Sequence, residues 1–286
     1  MAIGESPTAK RRRLGLLLRK FRTEAKLSAE VVSQHMDRND AWVSRVERGR
    51  TGLRRLDLER MLDLYGVDAG VQAELTDLAK AGRERGWWSK YSGVLSRQYS
   101  SYIGFEAEAS RLLTYDSLVV TGLLQTEGYA RKVLQVGAPE EDPAVIERKV
   151  EVRLNRQQRL AAENPLRLWL IFDEAVLHRV LGGDLRVHVA QLDHLVKMAD
   201  LHNVRLQVMP FREAGHPGML SSFTMMEFPN DPTMAYIEGL TGDLYEDAPE
   251  SERYRVVFDN LRASALSEPS STSLIKEVAA DLRRDT

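Results

Sequence analysis

Acid–base chemistry in this sequence is concentrated where Asp173 and Glu174 are followed by His178. On a helix, Glu174 and His178 would lie one turn apart, so the imidazole could reach the carboxylate. A general acid–base pair of a hydrolase has this arrangement, and so does an ordinary helix salt bridge. No catalytic motif of known spacing accompanies the pair. We therefore interpret it as a salt bridge and expect that the chain is not an enzyme.

Metal and cofactor chemistry is equally sparse. The chain contains no cysteine, which excludes disulfides, thiolate metal sites and cysteine nucleophiles. His188, His194 and His202 are six and eight residues apart, spacings that place no two of them on one helical face at metal-ligand distance. Neither a phosphate-binding glycine loop nor a His-Glu-x-x-His motif occurs. We expect no metal and no cofactor.

The charges are distributed unevenly along the chain. Residues 1–56 contain 14 Lys and Arg against 6 Asp and Glu, whereas the remainder contains 26 against 36. A basic segment attracts an anionic partner such as nucleic acid or membrane, and the acidic remainder argues against the membrane. No signal peptide and no apolar run of about 18 residues is present, so we expect a cytoplasmic protein.

Short amphipathic helices carry this basic segment. Ser28, Asn39 and Asp57 are predicted N-caps, Asp37 and Arg38 a tight turn, and Gly49 a left-handed helix end. The run KRRR at 10–13 is either an arm that reaches toward a phosphate backbone or the solvated start of the first helix, with a slight preference for the arm. Inward-facing residues at helical spacing, all apolar except the small Ser33, predict five helices. They run through Leu14, Leu17, Leu18 and Phe21; Val32, Ser33 and Met36; Val43 and Val46; Leu58, Met61, Leu62 and Tyr65; and Val71, Leu75, Leu78 and Ala79.

Two short helices joined by a tight turn form the arrangement that enters the major groove of DNA. The segment LSAEVVSQHMDRNDAWVSRVERGRTGL, residues 27–53, resembles the helix-turn-helix of the XRE and phage-repressor family. The segment departs from the family pattern at Ala29, Asp37, Arg38 and Asp40. With Ala29 in place, one of the family's contacts to the DNA backbone is lost. The match lies at Asn39, Val43, Ser44, Val46, Glu47 and Gly49.

The resemblance implies double-stranded DNA as a partner and suggests a role for each exposed position. Trp42 alternatively packs on the side-chain stem of Arg38 or Arg45. Asn39 caps the recognition helix, and Arg45 is the candidate for a bidentate contact to guanine. The predicted base-reading residues are Asp40, Ala41, Trp42 and Arg45, and the predicted phosphate contacts are Ser28, Ser44, Arg48, Arg50 and Thr51.

The remainder of the chain predicts mixed α and β structure. Strands are predicted at 166–172, 204–209, 223–228 and 234–237, and helices at 145–162, from Glu174, and at 187–201. Asp247 to Glu250 reads as a capping box for a long helix, and residues after Ser267 as a linker to a short charged helix. The aromatic entry at 87–91, the segment 105–109 and the run 122–130 resemble the uncharacterised domain that follows an XRE-type helix-turn-helix in actinobacterial, antitoxin-like regulators.

The fold class is therefore multidomain, with an all-α, lambda-repressor-like helix-turn-helix bundle followed by a mixed α/β domain. The predicted boundaries are 1–85 for the bundle, 86–104 for a junction, 105–267 for the α/β domain and 268–286 for a linker and helix. We expect a homodimer, since one helix-turn-helix usually needs a two-fold partner. The resemblance also implies a small partner protein encoded by a neighbouring gene. A small-molecule sensor with a pocket beside Trp169, and a DNA-tethered hydrolase using Glu174 and His178, remain alternatives.

Overall fold

The computed structural model describes residues 6–213, 215–239 and 243–284. They divide into two compact units, one made of residues 6–90 with Ser100–Glu108 and the other of Tyr91–Tyr99 with residues 109–284. The first unit is helical, and the second combines a six-stranded sheet with helices. The predicted fold class is confirmed. No helix among the described residues has both the length and the apolar composition needed to cross a membrane.

The N-terminal unit is built from five helices and part of a sixth. They are α1 (Pro7–Glu24), α2 (Ala29–His35), α3 (Asp40–Glu47), α4 (Arg55–Tyr65), α5 (Ala69–Ala81) and α6 (Arg97–Glu108), with a 3₁₀ helix at Trp87–Tyr91. The predicted apolar stripes meet in one core, of which Leu18, Val32, Val43, Leu58 and Leu62 are fully buried. Burial of these stripes holds the helices together, because short helices such as α2 and α3, of 7 and 8 residues, are not stable alone.

Two expectations for this unit are wrong. Asp57 is not an N-cap, since α4 begins at Arg55 after Arg54 and has no side-chain cap. Residues 10–13 are not an arm, since α1 begins at Pro7 and includes them. Arg12 is buried, and the Arg11 guanidinium donates to the Gly82 carbonyl at 2.6 Å. Neither side chain is therefore available as an extended arm.

The second unit is organised around a mixed sheet with the strand order β3-β2-β1-β4-β5-β6. Strands β1, β2 and β3 are parallel, whereas β4, β5 and β6 are antiparallel to their neighbours. The strands are β1 (Arg111–Asp116), β2 (Arg167–Asp173), β3 (Val204–Met209), β4 (Phe223–Glu227), β5 (Met234–Ile237) and β6 (Leu244–Glu246). The α-helices described in this unit are α7 (Glu127–Gly137), α8 (Pro143–Gln157), α9 (Ala175–His178), α10 (Leu185–Met198), α11 (Glu250–Ser264) and α12 (Glu268–Arg284).

One face of the sheet is covered by α11, whose Phe258 and Leu261 pack on Tyr115, Ile171 and Met225. Strand β3 lies at an edge, where α12 covers it. The Ser271 hydroxyl accepts a hydrogen bond from the Val208 N–H at 2.9 Å, and the Leu266 N–H donates to the Val208 carbonyl at 2.9 Å. The outward N–H and carbonyl groups of Val208 on this edge strand are thus satisfied.

The structure corrects several details of the second unit. Residues 268–284 form one helix, α12, that starts directly at Glu268 instead of following a linker, and the helix expected from Glu174 is the single turn α9. There is no capping box at 247–250, because α11 has Pro249 at its N-cap position and no side-chain cap. Strands β1 and β6 were not predicted. All four inner residues of β1 are buried, so it lacks the alternation that marks a half-exposed strand.

Candidate DNA-binding surface

The helix-turn-helix consists of α2, a turn at 36–39 and α3. The Ser28 hydroxyl accepts a hydrogen bond from the Val31 N–H at 3.2 Å, and the Asn39 Oδ1 accepts one from the Trp42 N–H at 2.9 Å. Asp37 has a φ of 52°, in the left-handed region that aspartate tolerates better than most residues. The caps and the turn are as predicted. Both capping side chains keep a donor group that could still reach a phosphate.

Helix α3 is held in place from its buried side. Val43 and Val46 are buried in the core. At its last residue, the Glu47 carboxylate receives two hydrogen bonds from the Arg22 guanidinium, at 2.5 and 3.0 Å. The third bond from Arg22 goes to the Leu27 carbonyl at 2.8 Å. Arg22 therefore joins the end of α3 to α1 and to the loop before α2, and its hydrogen bonds to Glu47 raise its pKa.

Two glycines allow α1 and the end of α3 to approach closely. A Cβ on Gly15 would lie 2.4 Å from the Glu47 carbonyl oxygen, which belongs to rigid backbone. Gly49 ends the α3 region with a φ of 66°, as predicted, and a Cβ there would lie 2.5 Å from the Arg12 Cα. Arg22 and Gly15 position the recognition helix, and sequence reasoning missed both. The Arg22–Glu47 pair spans 25 residues, so no local pattern reveals it.

The opposite side of α3 faces solvent. None of the ten predicted contact residues is buried. The Arg45 and Arg48 guanidinium groups have no hydrogen-bond or ion-pair partner among the residues that the structure describes. Three members of the set are partly buried, namely Trp42, Ser44 and Thr51. The others are exposed, namely Ser28, Asn39, Asp40, Ala41, Arg45, Arg48 and Arg50. The fold therefore presents this set on α3 and the segments beside it.

Two members of the set also make contacts within the protein. Trp42 packs against the edge of the core, and the Arg38 guanidinium lies 5.6 Å from the centre of its ring. Asp40 Oδ1 accepts a hydrogen bond from the Ser33 hydroxyl at 2.5 Å, which ties α2 to α3. Arg38, held over Trp42 on the exposed side, adds a positive charge to the surface that sequence reasoning did not assign to DNA.

In the second unit, the Glu174–His178 pair holds a loop. The Glu174 Oε2 accepts a hydrogen bond from the Phe211 N–H at 2.8 Å, while the Oε1 lies 3.6 Å from the His178 Nε2. The His178 ring stacks on Phe211 with 5.7 Å between the centres. These contacts fasten the segment after β3 to α9, the geometry of a structural salt bridge.

The alternative of a ligand pocket beside Trp169 concerns the second unit. Two shallow depressions of about 270 Å³ are present, one beside Asp193 and Arg283 and the other beside Arg253 and Tyr254, and neither is lined by Trp169. Within the described ranges, no three His, Asp or Glu side chains are arranged to hold a metal ion.

Comparison with known proteins agrees with this division of the chain. Residues 13–75 match the family model described as a helix-turn-helix domain. Residues 99–277 match the model described as a domain of unknown function (DUF5753). No curated protein and no solved structure matches the chain. Since the second match covers more than half of the 286 residues, the chain belongs to the DUF5753 family and carries a helix-turn-helix domain ahead of that family's domain.

Proposed function

We propose that this protein is a sequence-specific DNA-binding transcriptional regulator of the XRE type. The observation that supports this most directly is the exposed side of α3, where the Arg45 and Arg48 guanidinium groups are unpaired among the described residues. Helix α3 is anchored on its other side by Val43, Val46 and the Glu47–Arg22 pair. A rigid helix with free arginine donors is suited to reading guanine in the major groove.

Within this proposal, Arg45 reads a base and Arg50 contacts phosphate. The test begins by selecting preferred duplexes from a random pool with the full-length protein. Arg45→Ala should then weaken binding to the selected duplex by about 5- to 150-fold and relax its preference at one base pair. Arg50→Ala should weaken binding to selected and random duplexes alike, and should lower the slope of affinity against salt by about one.

Arg253→Ala is the matched control, because this exposed arginine lies on α11 and its loss removes the same charge. It should leave both affinities unchanged. Failure to enrich any sequence would refute sequence-specific binding. Equal losses for Arg45→Ala and Arg50→Ala on both duplexes would refute the division into base and phosphate contacts.

The α/β domain, in this proposal, mediates homodimerisation and binds a small partner protein, as in the antitoxin-like regulators that the sequence resembles. A dimer would present two α3 helices to a pseudo-palindromic site with half-sites one helical turn, about 34 Å, or a multiple of it apart. Light scattering at micromolar concentration should give twice the 32.4 kDa chain mass. A monomer that binds a single half-site would contradict the dimer.

Catalysis is not part of the proposed function, since Glu174 and His178 are accounted for as a loop contact.

A further inference from the structure

Trp169, on β2, is surrounded by arginine side chains from three other elements. The guanidinium carbons of Arg205, Arg262 and Arg111 lie 4.8, 5.2 and 5.5 Å from the centre of its ring. Arg205 is the register partner of Trp169 on β3, and Arg111 pairs with Arg167 at the start of β1 and β2. We call Trp169 with these four arginines the Trp169 cluster.

Trp169 itself is fixed by neighbours on two sides. Its indole N–H donates to the Gln207 Oε1 at 2.8 Å, and the ring of Phe258 meets it edge-on with 6.0 Å between the centres. The three arginines therefore lie beside a ring whose position is held by other contacts. Stacking uses the face of a guanidinium group and leaves its N–H edge free for bidentate hydrogen bonds to an oxyanion.

The positive charge of the cluster is only partly neutralised. Glu227 lies 3.8 Å from Arg111, Asp259 lies 3.3 Å from Arg262, and Glu227 also binds Arg255 at 2.9 Å. Arg167 and Arg205 are exposed and have no ion pair with any residue in the described part of the chain. This excess of cations occurs in a domain that is acidic as a whole, with 20 Lys and Arg against 27 Asp and Glu in residues 109–286.

Like charges held this close repel one another. Burial lowers the pKa of Arg111, and the nearby Arg167, Arg205 and Arg255 lower it further, against the opposing effect of Glu227. An anion placed between the guanidinium groups would relieve the repulsion. The cluster is thus complementary to a negatively charged group that the domain does not itself supply.

We propose that the Trp169 cluster is the docking surface for an acidic segment of a partner protein. Arg167 and Arg205 are exposed and Trp169 is only partly buried, and such an open surface fits a protein segment better than a small molecule. Tryptophan and arginine are the residue types that dominate binding energy at protein interfaces. The net negative charge of the domain disfavours a long polyanion such as duplex DNA. This inference rests on the proposed role of the domain in partner binding. It adds that the Trp169 cluster is the binding surface and that the partner's bound segment is acidic.

Fluorescence anisotropy of a labelled octaglutamate peptide, titrated with the full-length protein at low ionic strength, tests the proposal. The test variant is Arg205→Glu/Arg262→Glu. The matched control is Arg212→Glu/Arg253→Glu, which reverses the charge of two exposed arginines outside the cluster by the same amount. The cluster variant should lose about tenfold or more in affinity, while the control remains near wild type.

Two further variants separate the charge and folding effects. Arg205→Lys/Arg262→Lys keeps the charge but loses the fork and the stacking, so it should bind with intermediate affinity. Arg205→Gln/Arg262→Gln adds no carboxylates, so it should lose binding even if the double glutamate variant unfolds. Circular dichroism and thermal melting identify any variant that is misfolded.

Absence of peptide binding by the wild type would overturn the proposal, and so would equal losses in the cluster and control variants. Binding of random duplex DNA is measured in proteins that also carry Arg45→Ala/Arg48→Ala. If the cluster substitutions weaken this DNA binding but leave peptide binding unchanged, the surface binds DNA and the proposal is wrong. A protein that co-purifies equally with wild type and cluster variant would leave the proposed function intact and refute only the surface assigned here.

Discussion

Replacing Glu47 by glutamine should destabilise the N-terminal unit far more than its small chemical change suggests. The Arg22 and Glu47 side chains are only 15% and 8% exposed, and two charge-assisted hydrogen bonds join them. A glutamine can accept one of these bonds, but its NH₂ group then faces an arginine donor. A charged hydrogen bond contributes about 1.5–3 kcal/mol, and breaking a buried pair costs about 3–5 kcal/mol, so we expect a loss of about 3 kcal/mol.

The loss should be visible by two measurements on the full-length protein. The melting temperature of the N-terminal unit should fall by about 12 °C or more, given about 4–8 °C per kcal/mol for a unit of this size. Hydrogen exchange should quicken at the end of α3 and in the loop before α2, the two segments that Arg22 joins. Affinity for DNA should fall as stability falls, because Arg48 and Arg50 lie one and three residues after Glu47.

Glu24→Gln is the matched control. Its partner Lys20 lies 3.8 Å away, and both side chains are more than half exposed, so the loss should stay below about 0.5 kcal/mol. The double variant Arg22→Met/Glu47→Leu leaves no buried charge unpaired. It should therefore be more stable, by about 2 kcal/mol or more, than the summed losses of Arg22→Met and Glu47→Leu predict. The anchoring of α3 by this pair would be refuted if each single substitution lowered the free energy of unfolding by less than about 1 kcal/mol. It would also be refuted if the losses of the two single variants summed to the loss of the double variant.

Two other perturbations test packing and burial elsewhere. Gly15→Ala should lower the free energy of unfolding, measured by chemical denaturation, by about 1–3 kcal/mol, because its Cβ would lie 2.4 Å from the Glu47 carbonyl oxygen. The control Gly52→Ala, whose Cβ would have its nearest atom at 4.0 Å, should be almost neutral. Equal effects of the two substitutions would contradict the close approach of α1 and α3. Burial raises the pKa of Asp116 to about 8, so the folded state binds a proton that the unfolded state releases, and this contribution to stability is lost as pH rises from about 4 through 8. Asp116→Asn should make the free energy of unfolding fall less steeply with pH, by up to about 1.4 kcal/mol per pH unit, as measured by melting at a series of pH values. The same change at the exposed Asp200 should leave the slope as in the wild type. An unchanged profile for Asp116→Asn would show that Asp116 does not titrate in this range.

The helices of the N-terminal unit could be predicted because their signals are local. Ser28 and Asn39 cap helices whose first N–H groups lie three residues away, and Gly49 adopts the positive φ that its position requires. Apolar stripes at helical spacing identified the buried faces, and therefore the exposed face of α3, before any packing was known. Strands β3 and β5 were located for the same reason, as short apolar runs between turns.

What the tertiary structure decided depends on residues far apart in the chain. Arg22 meets Glu47 across 25 positions, and Ser271 binds the edge strand at Val208 across 63, so that a segment read as a linker became part of helix α12. The Trp169 cluster combines positions 111, 167, 169, 205 and 262, which only the strand register and the path of α11 bring together. Local spacing determines which helices and strands form, because their hydrogen bonds and stripes are short-range. The pairing of charges and polar groups is different, because it depends on the complete fold. Burial removes water from these groups, and each then needs a hydrogen-bond partner among the residues that the fold places next to it.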